Sequence, residues 1–184
     1  MAKTGIFMGI ICLGIAGGFG VFDGGGVVDP SRVGMTKRRN DVLRIAQAEV
    51  GVRELTGRND GKRIAEYLAY TGIKVPAAYC SAYVSWCFGQ AGYTQPKSAW
   101  SPALFPVARI VREPKPADVF GLWFPELNRI AHVGLVVSVK GDWIYSIEGN
   151  SSPDGSRNGN GVYQRIRHKK TVSRFADWIS NNKI

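Results

Sequence analysis

The sequence predicts an α+β domain, with helices packed on an antiparallel sheet. Residues 41–91 break into short helical stretches, each closed by a glycine. Residues 118–167 shift to runs rich in Val, Ile, Phe and Trp. The period changes once, helices first and strands later, which is the order an α+β fold produces.

The first helix is expected from Asn40 or Asp41, either of which can cap it, through Val50, with Val42, Ile45, Ala46 and Val50 on one side and Gly51 as its stop. A second spans residues 60–70, with Ile64, Tyr67 and Leu68 as its apolar stripe and Gly72 after it. A third starts near Cys80 and ends at Gly92. Strands are expected over 118–124, 131–139 and 143–149, with Lys140-Gly141-Asp142 as the turn between the last two. Residues 162–167 alternate apolar and polar, as a half-buried strand does.

The chain has 184 residues, a 45% hydrophobic fraction and enough length for a core without disulfide staples. Its three cysteines, Cys12, Cys80 and Cys87, form neither a disulfide framework nor a zinc spacing. His132 and His168 are the only histidines, so histidine chemistry has few candidates. Twenty-four basic residues against fourteen acidic ones give a formal charge of +10, a field that attracts polyanions. The basic residues thicken toward the C-terminus (Arg157, Arg165, Arg167, Lys169, Lys170, Arg174, Lys183) without any nucleic-acid motif, so no specific nucleic acid is expected. Anionic wall polymers or a membrane surface fit such a field better.

Residues 5–22 carry no charge and follow Lys3, which reads as a hydrophobic leader over 1–22. Its glycines weaken it as a spanning helix, so a cleaved signal peptide and a weak retained anchor both stand. Either sends the protein to the periplasm or cell wall, or tethers it to the membrane. Residues 23–40 (DGGGVVDPSRVGMTKRRN) read as a flexible basic linker, and 41–184 as the folded domain.

Cys80 stands where a loop held open by Pro76 passes into a helix. A thiol there feels the positive end of the helix dipole, and the first-turn N–H groups are free to donate to an oxyanion. Cys87, mid-helix, reads as a buried structural cysteine, a reading that Cys80 taken alone would share. His132 alternates with Ala131, Val133 and Leu135 and shares a face with Gly134. On the next strand Ser146, Glu148 and Asn150 project to one side, where a carboxylate or amide can orient an imidazole. Taken singly, Glu148 is a surface charge and Asn150 a turn former. Together with a helix-borne thiol they read as a catalytic set.

The blocks Cys80-Ser81-Ala82-Tyr83-Val84-Ser85-Trp86-Cys87, Ala131-His132-Val133-Gly134-Leu135-Val136 and Ile147-Glu148-Gly149-Asn150-Ser151-Ser152 resemble the CHAP family of cysteine, histidine-dependent amidohydrolases/peptidases. The resemblance runs roughly from Asp41 to Arg167, and includes Ala48-Glu49-Val50-Gly51-Val52-Arg53-Glu54 and Asn59-Asp60-Gly61 in the lead-in helices. It implies a papain-like fold and hydrolysis of amide or peptide bonds in bacterial peptidoglycan. It also implies roles: Cys80 as nucleophile, His132 as base and then acid, Glu148 as the orienting group, Asn150 assisting. Tyr79 stands where many relatives have an acidic residue or tryptophan. The acidic calcium loop of some phage members has no counterpart in residues 75–83, so neither metal nor cofactor is expected. The backbone N–H of Cys80 is one oxyanion donor, and Tyr79 or Tyr83 is the guess for the second. Other readings of the same residues are a cysteine protease or acyltransferase on a non-wall substrate, and a basic wall-binding or structural protein without catalysis. Whether such an enzyme would remodel its own wall, kill competitors, help conjugation or serve a phage is not encoded in these motifs.

Overall fold

A computed structural model describes residues 30–154 and 159–180. The leader at 1–22 and the start of the linker lie outside the described residues. No helix among the described residues is long and apolar enough to cross a membrane.

The first helix, α1, spans Pro30–Ala48, so the expected linker over 23–40 is helical from residue 30 and the folded domain begins before 41. Proline is tolerated in a first helical turn, where its missing N–H would go unpaired anyway. The basic run Lys37-Arg38-Arg39 is not all solvated. Arg39 is buried and donates to Asp118 at 2.7 Å, Asp177 at 2.6 Å, Ser180 Oγ at 3.0 Å and the Pro116 carbonyl at 2.6 Å. That network ties α1 to the start of the sheet and to the end of the chain.

Helix α2, Lys62–Tyr70, buries Ile64, Tyr67 and Leu68, the stripe its spacing predicts. Helix α3, Cys80–Gln90, is buried along nearly its whole length and forms the centre of the molecule. The sheet has six antiparallel strands, β1 Ile110–Val111, β2 Val119–Phe124, β3 Arg129–Lys140, β4 Trp143–Ser151, β5 Gly161–His168 and β6 Arg174–Ala176, in the order β1-β6-β2-β3-β4-β5. Sequence periodicity does not show β1 and β6, whose two and three residues are too few for an alternation to register. Val133, Leu135 and Ile147 face the helical layer and join Tyr67, Tyr83, Val84 and Phe88 in the main core. Burying each such side chain is worth about 1.5–3 kcal/mol. Gly149 makes the helix–sheet approach close: a Cβ there would lie 2.7 Å from the Tyr83 side chain.

Two irregularities shape the sheet beside α3. Leu122 pairs with His132 while Trp123 pairs with Ile130, which leaves Ala131 as an extra residue in β3. Glu148 pairs with Tyr163 and Ser151 with Gly161, which puts an extra residue in β4, where Asn150 adopts φ +50°. Such bulges bend a strand and re-aim the side chains next to them.

Candidate active site

The N-terminus of α3 carries Cys80 with no side-chain cap, so its first-turn N–H groups stay available. The bulge at Ala131 turns β3 toward that end of the helix, with the Ala131 carbonyl oxygen 3.9 Å from Cys80 Sγ. The next residue, His132, lies beside the thiol and favours its charged form. Its Nε2 lies 2.8 Å from Glu148 Oε2, which leaves Nδ1 as the nitrogen facing sulfur.

Glu148 is fully buried and multiply held. Arg167 on β5 donates from Nε to Oε1 at 2.9 Å and from Nη2 to Oε2 at 2.6 Å. Ser146 Oγ donates to Oε1 at 2.8 Å and Ser151 Oγ to Oε2 at 3.4 Å. Gly134 makes room for this carboxylate across β3, since a Cβ there would sit 2.7 Å from both Glu148 Cγ and the Phe120 ring. Arg167 reads from sequence only as one of the scattered basic residues. A period-two strand beside the glutamate is the signal that could have found it.

Burial pushes the Cys80 thiol up, but the neighbouring His132 imidazole, followed by Ser101 and the Val133 N–H, brings it from 9.0 down to about 7. Burial pushes His132 down, while Cys80 and Glu148 together raise it from 6.5 to about 9. Burial likewise raises Glu148, and it is overcome by Arg167 and then His132, which hold the carboxyl far below the usual carboxylate range. The three groups therefore suit a thiolate–imidazolium pair backed by a permanent carboxylate, the arrangement that activates a sulfur nucleophile.

The other sequence candidates lie elsewhere. The bulge in β4 breaks the alternation that put Asn150 on the face of Ser146 and Glu148. Asn150 Nδ2 instead donates to Asn59 Oδ1 at 2.6 Å, so this amide pins a loop and does not orient the imidazole. Tyr83 is completely buried and donates to the Ala46 carbonyl at 3.0 Å, away from the thiol. Tyr79 is also completely buried, with its hydroxyl among Glu54 and Asn150. Neither phenol can meet a substrate oxyanion without opening the core. His168 accepts from the Lys170 N–H at the far end of β5, and Cys87 lies in the core under Tyr83. Among the described residues no group of three or more His, Cys, Asp or Glu side chains is placed to hold a metal ion.

The family model of the CHAP domain matches residues 70–150, a span that includes Cys80, His132 and Glu148. Over that span the chain is similar to CHAP domains. Its helix-borne thiol and antiparallel sheet form the α+β, papain-like arrangement that the sequence predicts. Solved structures similar to this chain include the crystal structure of Ly7917, at 17% identity and a TM-score of 0.45 over 74% of this chain and 60% of that one. Another is the crystal structure of Ly7917 with the hydrolyzing product of MDP, at 17% identity and a TM-score of 0.42 over 74% of this chain and 61% of that one. The chain thus spans about three fifths of the length of these structures. No curated protein matches the sequence.

Proposed function

We propose that this CHAP-like domain is a cysteine-dependent amidase or endopeptidase that hydrolyses peptidoglycan. The observation that carries the reading is a thiol at the open end of α3 whose acidity is raised by the neighbouring imidazole of His132, itself held by a buried carboxylate at 2.8 Å. In this reading the Cys80 proton passes to His132, and the thiolate attacks the carbonyl carbon of an amide bond. The backbone N–H groups at the start of α3 receive the developing oxyanion. His132 then protonates the leaving amine, the C–N bond breaks and a thioester remains. Water, deprotonated by His132, attacks the thioester and releases the carboxylic acid and the free thiol. Glu148 holds the imidazole in the tautomer this requires and stabilises its charged form.

The bacterial wall as substrate is supported by the family and by the charge. The +10 field draws the domain to an anionic polymer, an attraction screened over about 8 Å at physiological salt. Residues 1–22 supply a route across or onto a membrane, which a wall substrate demands. Purified protein incubated with isolated sacculi should release fragments whose mass spectrum shows a new amine and a new carboxylate at one amide bond. Binding to the sacculi should weaken as salt rises. Intact sacculi, with turnover of an unrelated peptide or ester instead, would assign the same catalytic set to a protease or acyltransferase. Salt-sensitive binding with no bond cut would leave a wall-binding protein.

A further inference from the structure

Helix α3 presents two serines one turn apart, Ser81 and Ser85, both buried. Each holds the segment that follows the helix. Ser85 Oγ donates to the Ser98 carbonyl at 3.0 Å and accepts the Ser98 N–H at 3.1 Å. Ser81 Oγ donates to Ser101 Oγ at 2.9 Å. Beyond Ser101, a short 3-10 turn, Ser101–Leu104, buries Leu104, and Trp178 Nε1 donates to the Leu104 carbonyl at 3.0 Å. The segment is therefore fixed at both ends, and it brings Ser101 Oγ to 3.6 Å from Cys80 Sγ. A hydroxyl offers one proton. With Ser81 donating to Ser101, the Ser101 proton is directed at the sulfur.

We propose that Ser101 is a catalytic residue that donates a hydrogen bond to the Cys80 thiolate and holds the sulfur in its attacking form. The proposal takes Cys80 as nucleophile, as above. No proton leaves Ser101: the thiol proton passes to His132, and Ser101 keeps its own while bonding the sulfur anion. A hydrogen bond to the charged form favours that form, which agrees with the lowered thiol. The titratable and charged groups around the sulfur are His132 on β3 and, behind it, Glu148 on β4 and Arg167 on β5. Ser101, tied to α3 through Ser81, is the neutral donor beside the sulfur. The sequence hides this role because twenty-one residues separate the two side chains, and the linking signal is only an i,i+4 serine pair on α3.

The test is alkylation of the full-length protein with iodoacetamide across pH, followed at the Cys80 peptide by mass spectrometry, alongside turnover of sacculi. Ser101→Ala should move the alkylation midpoint up from about 7 by roughly one pH unit, and slow labelling near neutrality on the order of tenfold. It should lower kcat with KM little changed. Ser101→Thr, which keeps a hydroxyl, should recover most of both losses. An Ala midpoint equal to that of the wild type, in protein with an unchanged melting curve, would overturn the proposal. If Ser101→Ala melts early, Ser81→Ala serves as the second variant: it frees the Ser101 proton from its direction and should raise the midpoint by less. An unmoved midpoint there would count against the proposal equally. Because alkylation needs no wall substrate, a shifted midpoint in a protein inert toward sacculi would sustain Ser101 and sink the peptidoglycan reading instead.

Discussion

Cys80 and Cys87 lie seven residues apart on one helix, both buried and both unpaired, and the fold sends their chemistry in opposite directions. Burial raises the thiol pKa at each site. At Cys80 it is outweighed by an imidazole, a hydroxyl and a strand N–H gathered at the open end of α3. At Cys87 burial is followed by the Tyr83 hydroxyl, which lowers it, and the Glu49 carboxylate, which raises it again, and the thiol stays well above its ordinary range. Desolvation alone makes a cysteine inert. A partner that can carry positive charge makes the same desolvation useful, because attraction between thiolate and imidazolium is stronger where water is excluded.

The sharpest way to break the comparison is to remove each sulfur in turn. Cys80→Ala should abolish hydrolysis, a loss of at least about 10⁴-fold, and so should His132→Ala, with both proteins folded. Circular dichroism and fragment release from sacculi measure the two properties separately. Residual turnover at the wild-type rate in Cys80→Ala would refute the whole assignment.

Glu148 supplies the next largest effect, because it is what lets His132 carry charge. Glu148→Ala should cost on the order of 10²–10⁴ in kcat. Asn150→Ala should cost less than about tenfold, since it loosens only the contact with Asn59 at 2.6 Å. Turnover of the two variants at one pH ranks them, and the reverse order would move the orienting role to Asn150.

A smaller but more diagnostic effect lies in the pH profile. The thiolate–imidazolium pair should exist between about 7, where Cys80 gives up its proton, and about 9, where His132 does. Below that window the nucleophile is protonated. Above it the imidazole can no longer protonate the leaving amine. A plot of kcat/KM against pH should therefore be bell-shaped with those flanks. Glu148→Gln removes the negative charge that raises His132, so its upper flank should fall. A Gln variant with its upper flank in place would show that the carboxylate does not set the imidazole's charge.

Much of this site follows from local pattern, and the rest depends on where distant segments meet. The period-two runs around His132 and Glu148, and the glycine between them on one face at Gly134, are readable because neighbouring strands joined by a tight turn share their faces. The stripe of α2 and the start of α3 are readable for the same local reason. Arg39 is not, since its carboxylate partners lie 79 and 138 residues away and only the fold turns a basic linker residue into a buried tie. Asn150 is misread because a single extra residue in β4 reverses the alternation after Glu148. Ser101 belongs to the same class as Arg39: it meets its partner Cys80 across a separation that no periodicity spans.

The smallest expected effect is the one that completes the comparison. Cys87 sits in the core of α3, where its backbone groups are already committed to the helix and its neighbours are aromatic rings and the Glu49 carboxylate. It has no imidazole to take its proton, so at neutral pH it should resist iodoacetamide while Cys80 reacts. Cys87→Ala removes one buried sulfur and leaves a small void beside Tyr83, which should cost about 1–2 kcal/mol of stability. Hydrolysis should continue at the wild-type rate, because the void lies two turns from the catalytic end of the helix. Urea denaturation reads the first quantity and fragment release the second. If Cys87→Ala lost activity while remaining as stable as the wild type, the second thiol would have a chemical role, and burial without a cationic partner would no longer suffice to explain an inert cysteine.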